Sequence, residues 1–197
     1  DALSSVGNPG VTRVFPHVTG IDVAGIVEQS NSDEFKVGDE VLVTGYDMGM
    51  NSDGGHQSYV KVPASWVVKK PSSITDKEIM TFGTAGLTAA LSVNELLQNG
   101  LTKDSGSILV TGATGGVGSI AVSILSKLGF DVVGASKDSQ DKNTKFLEKY
   151  KLKYELGSDV TDACEKLGIW IEKSMYGKKY FGINRSTFIL DKKGKIL

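Results

Sequence analysis

The sequence predicts an α/β protein built from three successive parts, and three observations support this prediction. Residues 11–68 hold short β-type runs between glycine turns. Residues 108–133 read as strand, glycine turn, helix and strand. The part after Ser136 is polar and rich in lysine before it returns to short strands. We therefore expect a β-rich domain over 1–74, the start of an α/β domain over 75–135 and a separate C-terminal segment over 136–197.

Composition excludes several classes of protein. The chain has 197 residues, of which 40% are hydrophobic and 23% charged, which is enough apolar material for a core. A net charge of −1 gives no electrostatic footprint for nucleic acid or an anionic membrane. No apolar run reaches the roughly 18 residues that span a bilayer. The single cysteine, Cys164, excludes an internal disulfide and favours a cytoplasmic location, and the start at Asp1 without methionine suggests a fragment.

The β-rich part is predicted from clusters of β-branched residues between turn signals such as Gly38-Asp39. The predicted strands are Ile21–Val27, Glu40–Thr44, Gln57–Val62 and Trp66–Lys69.

The middle part begins with a helix signal at Thr75, which precedes an acidic first turn. Apolar spacing predicts a helix over Thr84–Leu97. A strand–helix–strand unit follows, with the helix ending at Gly129, and two parallel strands joined in this way form a crossover. The predicted elements of this unit are Ser107–Thr111, Val117–Leu128 and Asp131–Gly134.

The C-terminal segment predicts helices at Lys137–Tyr150 and Asp159–Leu167. Short strands are expected within Gly168–Ile196, of which Arg185–Leu190 is the strongest, and Lys192-Lys193-Gly194 indicates a hairpin turn.

The glycine turn after the buried strand carries the clearest chemistry. Its glycines lie at 112, 115, 116 and 118, between a strand and the mouth of a helix. Such glycines allow a tight exit from the strand, a close approach of the backbone to phosphates and tight packing of the helix. The helix N-terminus then offers N–H groups and a positive dipole to a pyrophosphate. The turn predicts a dinucleotide site formed by Gly112, Ala113, Thr114, Gly115, Gly116, Val117 and Gly118, and the alternative is a turn that serves packing only.

The end of the second strand predicts which dinucleotide binds. An acid there usually holds the ribose of NAD, whereas a basic residue accommodates the 2′-phosphate of NADP. Ser136 and Lys137 favour NADP(H). Asp138 leaves NAD(H) as the less favoured alternative, and Lys137 has the alternative role of a surface lysine that opens the next helix.

A family resemblance covers the chain from Asp1 to about Val133. The residues that carry it are Phe15-Pro-His-Val-Thr-Gly-Ile-Asp22, Phe35-Lys-Val-Gly-Asp-Glu-Val41, Gly83-Thr-Ala-Gly-Leu-Thr-Ala89 and the glycine turn. These residues resemble the zinc-independent quinone oxidoreductases of the medium-chain dehydrogenase/reductase superfamily, of the acryloyl-CoA reductase type. The resemblance implies a GroES-like β domain and a Rossmann domain, with hydride passing from the nicotinamide to an enone or enoyl thioester.

The resemblance also bears on metal and site residues. Zinc-using relatives carry a Gly-His-Glu triplet where this chain has Gly20-Ile21-Asp22, and one cysteine and two histidines are too few ligands for a catalytic or structural zinc site. We therefore expect no metal, and structural or solvent-exposed roles for His17 and His56. Thr84 resembles the residue that faces the nicotinamide, and its alternative is an ordinary position at a helix start. No catalytic residue is assigned, since those of the family would precede Asp1.

A second resemblance begins near Ser136. Lys-Ser-Met-Tyr-Gly-Lys at 173–178 and Arg-Ser-Thr-Phe at 185–188 are similar to the bacterioferritin-comigratory, or Q-type, peroxiredoxins. The resemblance implies a thioredoxin-like fragment in which Arg185 matches the family's arginine. Its peroxidatic cysteine motif is missing here, and Cys164 is expected to be a buried, inert thiol. We expect the Rossmann arrangement to stop after its second strand, although the two segments can share one sheet.

Three functions remain open. The leading one is an NADPH-dependent, zinc-independent reductase of quinones, enones or enoyl-CoA thioesters, here truncated and chimeric. The others are a thiol peroxidase fragment without its peroxidatic cysteine, and a non-catalytic dinucleotide-binding chimera. The expected partner is a small-molecule substrate, with no nucleic acid and no membrane, and the superfamily favours a homodimer.

Overall fold

The fold comes from a computed structural model that describes residues 1–152, 154–159, 162–175, 178–184 and 186–189, together with Lys193 and Lys195. The chain divides into two compact units, Asp1–Leu87 and Thr88–Leu197. The described α-helices are α1 (Ala2–Ser5), α2 (Asp76–Gln98), α3 (Gly116–Lys127), α4 (Gln140–Tyr150) and α5 (Ala163–Lys166). The described strands are β1 (Asp22–Ile26), β2 (Glu40–Thr44), β3 (Val68–Lys69), β4 (Ile108–Thr111), β5 (Val132–Ser136), β6 (Glu155–Ser158), β7 (Trp170–Met175), β8 (Lys178–Ile183) and β9 (Thr187–Ile189). None of the described helices has the length and apolar character needed to cross a membrane.

The first unit contains a small antiparallel sheet in the order β1-β2-β3. The strands predicted at 21–27 and 40–44 are confirmed, with Asp22 opposite Thr44 and Ile26 opposite Glu40. The last predicted strand is shorter than expected, because Ala64–Trp66 forms a turn of 3₁₀ helix before β3.

The strand predicted at Gln57–Val62 is wrong. These residues form bends and irregular extended backbone, and Tyr59 is 74% exposed. A strand exists only when its backbone groups pair with a neighbour, and the described residues give this segment no ladder. The β-branched residues of this segment favour a strand, but without a partner strand they do not form one.

The second unit is built on a four-stranded sheet in the order β6-β5-β4-β9. Strands β4, β5 and β6 are parallel, and β9 runs antiparallel to β4. The predicted strand–helix–strand unit is confirmed, and α3 buries Val122 and Leu125 against Ile108, Val132 and other apolar side chains. Gly129 ends the helix with φ of +84°, and the N–H of the next residue donates to the carbonyl of Leu125.

The sheet continues beyond its second strand, in agreement with the hypothesis that the two segments share one sheet. Strand β6 pairs with β5 from Val133↔Glu155 to Ser136↔Ser158, and Leu156 is buried in the common core. Strand β9 pairs with β4 on the other side. The C-terminal segment therefore extends the same sheet on both edges, with β6 added parallel to β5 and β9 added antiparallel to β4.

The remaining C-terminal elements differ in length from the predictions. Helix α4 begins at Gln140, because Asp138 N–H donates to Ser136 Oγ and holds the preceding turn away from helical geometry. Helix α5 spans only four residues, and a hairpin of β7 and β8 follows it. Arg185 and most of the expected turn at 192–194 lie outside the described residues. The three-part division at residues 74 and 135 stays a prediction.

Candidate cofactor site

The glycine turn bends sharply away from β4 at Gly112. The φ angle of Gly112 is +65°, in the left-handed region that other residues rarely adopt. Its carbonyl accepts a hydrogen bond of 2.9 Å from the N–H of Gly115, and α3 begins at Gly116. Gly115 is the N-cap residue and provides no side-chain cap. The first N–H groups of α3 lie beyond the reach of the helix's own carbonyls, so this end is suited to an anion.

The first turn of α3 lies directly against the strand exit. A Cβ atom on Gly118 would stand 2.3 Å from the carbonyl oxygen of Gly112 and 3.0 Å from the Cα of Ala113. Ala113 is fully buried, and its N–H donates to the carbonyl of Ala135 at 3.1 Å. A Cβ on Gly134 would in turn meet the Ala113 side chain at 2.8 Å. The turn is therefore closely packed on both sides.

A cluster of polar side chains lies between the turn and the end of β5. Ser136 Oγ donates to Asp138 Oδ2 at 2.8 Å, and Thr114 Oγ1 donates to the same oxygen at 3.0 Å. The two hydroxyl oxygens are 3.2 Å apart, and Ser136 is 3% exposed. These contacts hold the Asp138 carboxylate near the glycine turn, where an acceptor for a ribose hydroxyl is useful.

Lys137 is engaged by the C-terminal segment. Its Nζ lies 3.1 Å from Asp159 Oδ2, 3.0 Å and 3.1 Å from the two Glu165 oxygens, and 4.8 Å from the ring centroid of Trp170. The hydrogen bond to Glu165 raises the lysine pKa, and partial desolvation opposes this. Burial works to raise the pKa of Asp159, but hydrogen bonds from Cys164, Lys137 and Ala163 outweigh it and keep that pKa well below its usual range.

Sequence reasoning missed these partners of Lys137. A signal for one of them was present, because Asp159 directly follows β6, which is parallel to β5. The carboxyl ends of adjacent parallel strands meet at one edge, so Asp159 and Lys137 were bound to be neighbours once β6 was recognised. Glu165 left no comparable signal.

Thr84 follows a break in α2. Gly83 has φ of +49° and ψ of −150°, and both the N–H and the hydroxyl of Thr84 donate to Asp22 Oδ1, at 2.9 Å and 2.7 Å. Asp22 therefore caps the helical segment that restarts at Thr84. Thr84 belongs to the first unit and the glycine turn to the second, and its role at the nicotinamide stays a prediction.

Both histidines contact hydroxyl groups. His17 Nε2 lies 2.6 Å from Ser4 Oγ and 3.3 Å from Thr12 Oγ1, and His56 Nδ1 lies 2.8 Å from Thr19 Oγ1. Within the part of the chain that the structure describes, no three His, Cys, Asp or Glu side chains group as a metal site would require.

Cys164 is buried, with 4% exposure. Burial, together with the adjacent Asp159 carboxylate, raises the pKa of its thiol to about 11. A peroxidatic cysteine requires a lowered pKa, so this thiol has the opposite chemistry. The expected inert thiol agrees with this environment.

Two protein families match different parts of the chain. The alcohol dehydrogenase GroES-like domain matches residues 4–72, and the AhpC/TSA family matches residues 121–197. The second match begins inside α3, upstream of Ser136 where the resemblance was first placed. The later part of α3 and β5 therefore lie in a region where the two similarities overlap.

Curated relatives fall into the same two groups. The chain is 51% identical to a putative quinone oxidoreductase of Bacillus subtilis and 45% identical to an acrylyl-CoA reductase of Ruegeria pomeroyi, each over 136 residues, 69% of this chain and 41% of the relative. It is 47% identical to the peroxiredoxin Bcp of Escherichia coli over 73 residues, 36% of this chain and 47% of the relative. The chain thus spans less than half the length of these relatives.

Solved structures extend the first similarity. An oxidoreductase of Salmonella enterica in complex with NADP superposes with a TM-score of 0.73 and 37% identity, over 80% of this chain and 48% of that one. A Bacillus subtilis protein with NAD bound gives a TM-score of 0.70 and 45% identity, over 84% of this chain and 48% of that one. These shares exceed the 69% of the sequence match, so part of the C-terminal segment also follows the oxidoreductase fold.

Both resemblances are therefore confirmed: one part of the chain is similar to quinone oxidoreductases and acrylyl-CoA reductases, with a GroES-like domain match, and the other part is similar to AhpC/TSA proteins such as the Bcp peroxiredoxins.

Proposed function

We propose that this chain binds a nicotinamide dinucleotide at the glycine turn and belongs to an NADPH-dependent reductase of quinones, enones or enoyl-CoA thioesters. The observation that carries the proposal is the close approach of α3 to the turn. A left-handed Gly112 and a Gly118 without room for a Cβ bring an uncapped helix N-terminus against the end of β4. A helix end of this kind suits a pyrophosphate.

Each contact with the cofactor is assigned by the chemistry of the residues. Backbone N–H groups of the turn would hold the pyrophosphate, Ser136 and Lys137 would lie at the 2′ position of the adenosine ribose, and Thr84 would face the nicotinamide. The residues proposed for the pyrophosphate are Gly112, Ala113, Thr114, Gly115, Gly116, Val117 and Gly118. NADP(H) is the proposed cofactor, as in the Salmonella structure, and NAD(H) is the alternative, as in the Bacillus structure.

The reaction follows from the cofactor and the named relatives. When bound, the nicotinamide supplies a hydride to an electron-poor double bond or quinone, and the protein orients the cofactor and excludes competing reactions. The substrate classes come from the relatives named quinone oxidoreductase and acrylyl-CoA reductase. We propose a zinc-free reaction, because one cysteine and two histidines supply too few ligands. A cytoplasmic homodimer is the proposed setting.

Gly116→Asp tests the cofactor site. Gly116 is exposed and is the first residue of α3, where an acid favours the helix through its dipole but repels a pyrophosphate. We expect calorimetric titration to show NADPH binding to the unchanged protein and none to this variant, with thermal stability retained. The matched control is Ser123→Asp, an exposed position two turns along the same helix, which should bind NADPH normally.

Two results would contradict parts of the proposal. If NADPH binds Gly116→Asp as tightly as the Ser123→Asp control, the pyrophosphate does not lie at the glycine turn. If NADPH binds but is not oxidised with acrylyl-CoA or a simple quinone, the chain is a dinucleotide-binding protein without turnover.

A further inference from the structure

The ammonium of Lys137 is already occupied by carboxylates of the C-terminal segment. An ammonium has three N–H donors, and Lys137 has three carboxylate oxygens within 3.1 Å, one from Asp159 and two from Glu165. Asp138 adds a further carboxylate at the neighbouring position. A phosphate arriving at this edge would thus meet three acids and one lysine whose donors are all in use.

We propose that Glu165 competes with the 2′-phosphate of NADPH for Lys137, and so reduces the preference of this chain for NADPH over NADH. The inference rests on the proposed dinucleotide site. A 2′-phosphate can gain Lys137 only by displacing one of its carboxylate partners, and the lost ion pair offsets part of the attraction. NADH carries a hydroxyl at that position, so its binding does not require the exchange.

Burial identifies Glu165 as the partner that exchanges. The Asp159 side chain is 3% exposed, and its two oxygens also accept the N–H groups of Ala163 and Cys164 at 2.7 Å and 2.8 Å. That carboxylate is therefore fixed by the start of α5. Glu165 is 38% exposed, and its carboxylate can turn into solvent with little loss. Asp159 thus holds the lysine in position, while Glu165 decides how readily the Lys137 ammonium can bind a 2′-phosphate.

The environment of Asp138 also favours NADH over NADPH at the edge of the sheet where Lys137 lies. Its carboxylate accepts from Ser136 and Thr114 beside the glycine turn. A carboxylate so placed can accept a ribose hydroxyl and repels a phosphate. Glu165 and Asp138 therefore act in the same direction, but only Glu165 acts through Lys137.

The test is Glu165→Gln, which keeps the shape of the side chain and removes its charge. Calorimetric titration with NADPH and with NADH should show a dissociation constant for NADPH about two- to fivefold lower than in the unchanged protein, the range expected for one exposed ion pair. The dissociation constant for NADH should not change. The control is Glu155→Gln, an exposed acid at the opposite end of β6, which should alter neither value.

The Lys137→Met variant separates competition for the lysine from any effect of Glu165 that does not involve Lys137. In Lys137→Met protein, adding Glu165→Gln should leave NADPH binding unchanged, because the competition requires the lysine. Equal gains for NADPH and NADH, or a gain that survives in the Lys137→Met background, would overturn the competition while leaving the dinucleotide site intact. If the unchanged protein binds neither NADPH nor NADH, the proposed site fails and this inference with it.

Discussion

The close contact between α3 and the glycine turn can be tested by a single methyl group. Gly118→Ala would place a Cβ atom 2.3 Å from the carbonyl oxygen of Gly112, 2.8 Å from its carbonyl carbon and 3.0 Å from the Cα of Ala113. All three are backbone atoms, so no side chain can rotate away to make room. The helix or the turn must therefore move.

The distances set the size of the effect. Ordinary contacts of a Cβ atom begin at 3.4 Å, so the Cβ and the carbonyl oxygen must separate by about 1 Å. Val122 and Leu125 lie on the same face of α3 as Gly118 and pack in the core, so they resist a shift of the helix away from the turn. Overpacking of this kind costs about 1–3 kcal/mol, which for a chain of this size lowers Tm by roughly 2 to 12 °C. Loss of one hydrogen bond to a charged phosphate would weaken NADPH binding about tenfold or more.

The assay pairs thermal unfolding with calorimetric titration of NADPH, and the control is Gly157→Ala. A Cβ on Gly157 would lie 3.8 Å from the carbonyl oxygen of Gly134, an ordinary contact in the same sheet. We expect the control to keep both Tm and NADPH affinity. Should Gly118→Ala match the control in both measurements, the turn does not depend on the close approach, and the reasoning is refuted.

Three further predictions concern other parts of the chain. Thr84→Val removes the hydroxyl donor to Asp22, and we expect it to lower the free energy of unfolding in urea by about 1.5 kcal/mol, the value for a hydrogen bond to a charged group; an unchanged midpoint would contradict this. Cys164, with a pKa raised to about 11, should react with iodoacetamide at pH 7.5 at least about 100-fold more slowly in the folded chain than in urea, and equal rates would show an accessible thiolate. The pKa of Asp159 is lowered in the folded chain, so its carboxylate stabilises the fold fully above the unfolded-state pKa near 4, and this stabilisation is lost as the pH falls. The Tm advantage of the unchanged protein over Asp159→Asn should therefore shrink between about pH 5 and pH 2. A constant advantage would exclude this linkage.

Local pattern was sufficient to predict the glycine turn and its flanking elements. The apolar run before Gly112, the helical spacing after it and the glycine at 129 are all contained within about 25 residues, and each agrees with the others. The same reasoning failed at Gln57–Val62, where Val60 and Val62 are half-buried in backbone that joins no described sheet. A strand depends on a partner elsewhere in the chain, and composition alone does not reveal whether that partner exists.

Non-local pairing explains the other differences. Strand β6 joins β5 from beyond a helix, and β9 joins β4 from about 80 residues downstream, with Ile189 opposite Ile108. Neither pairing leaves a mark in the sequence near Gly112. The resemblance of the C-terminal segment was correctly identified, but the place of β6 in the sheet depends on its pairing with β5 and on one buried side chain, Leu156, that packs into the core.

The effect of non-local pairing on the candidate site is clearest at Lys137. Its place in the sequence favours a phosphate site, because Ser136 and Lys137 follow one another at the end of the second strand of the strand–helix–strand unit. Its neighbours in space are Asp159 and Glu165, which arrive on the segment that supplies β6. The glycine turn that we propose for the pyrophosphate is thus determined locally, whereas the charges that we propose to select between NADPH and NADH come from the segment that supplies β6. A protein joined at this point can keep the ability to bind a dinucleotide and still change which one it prefers.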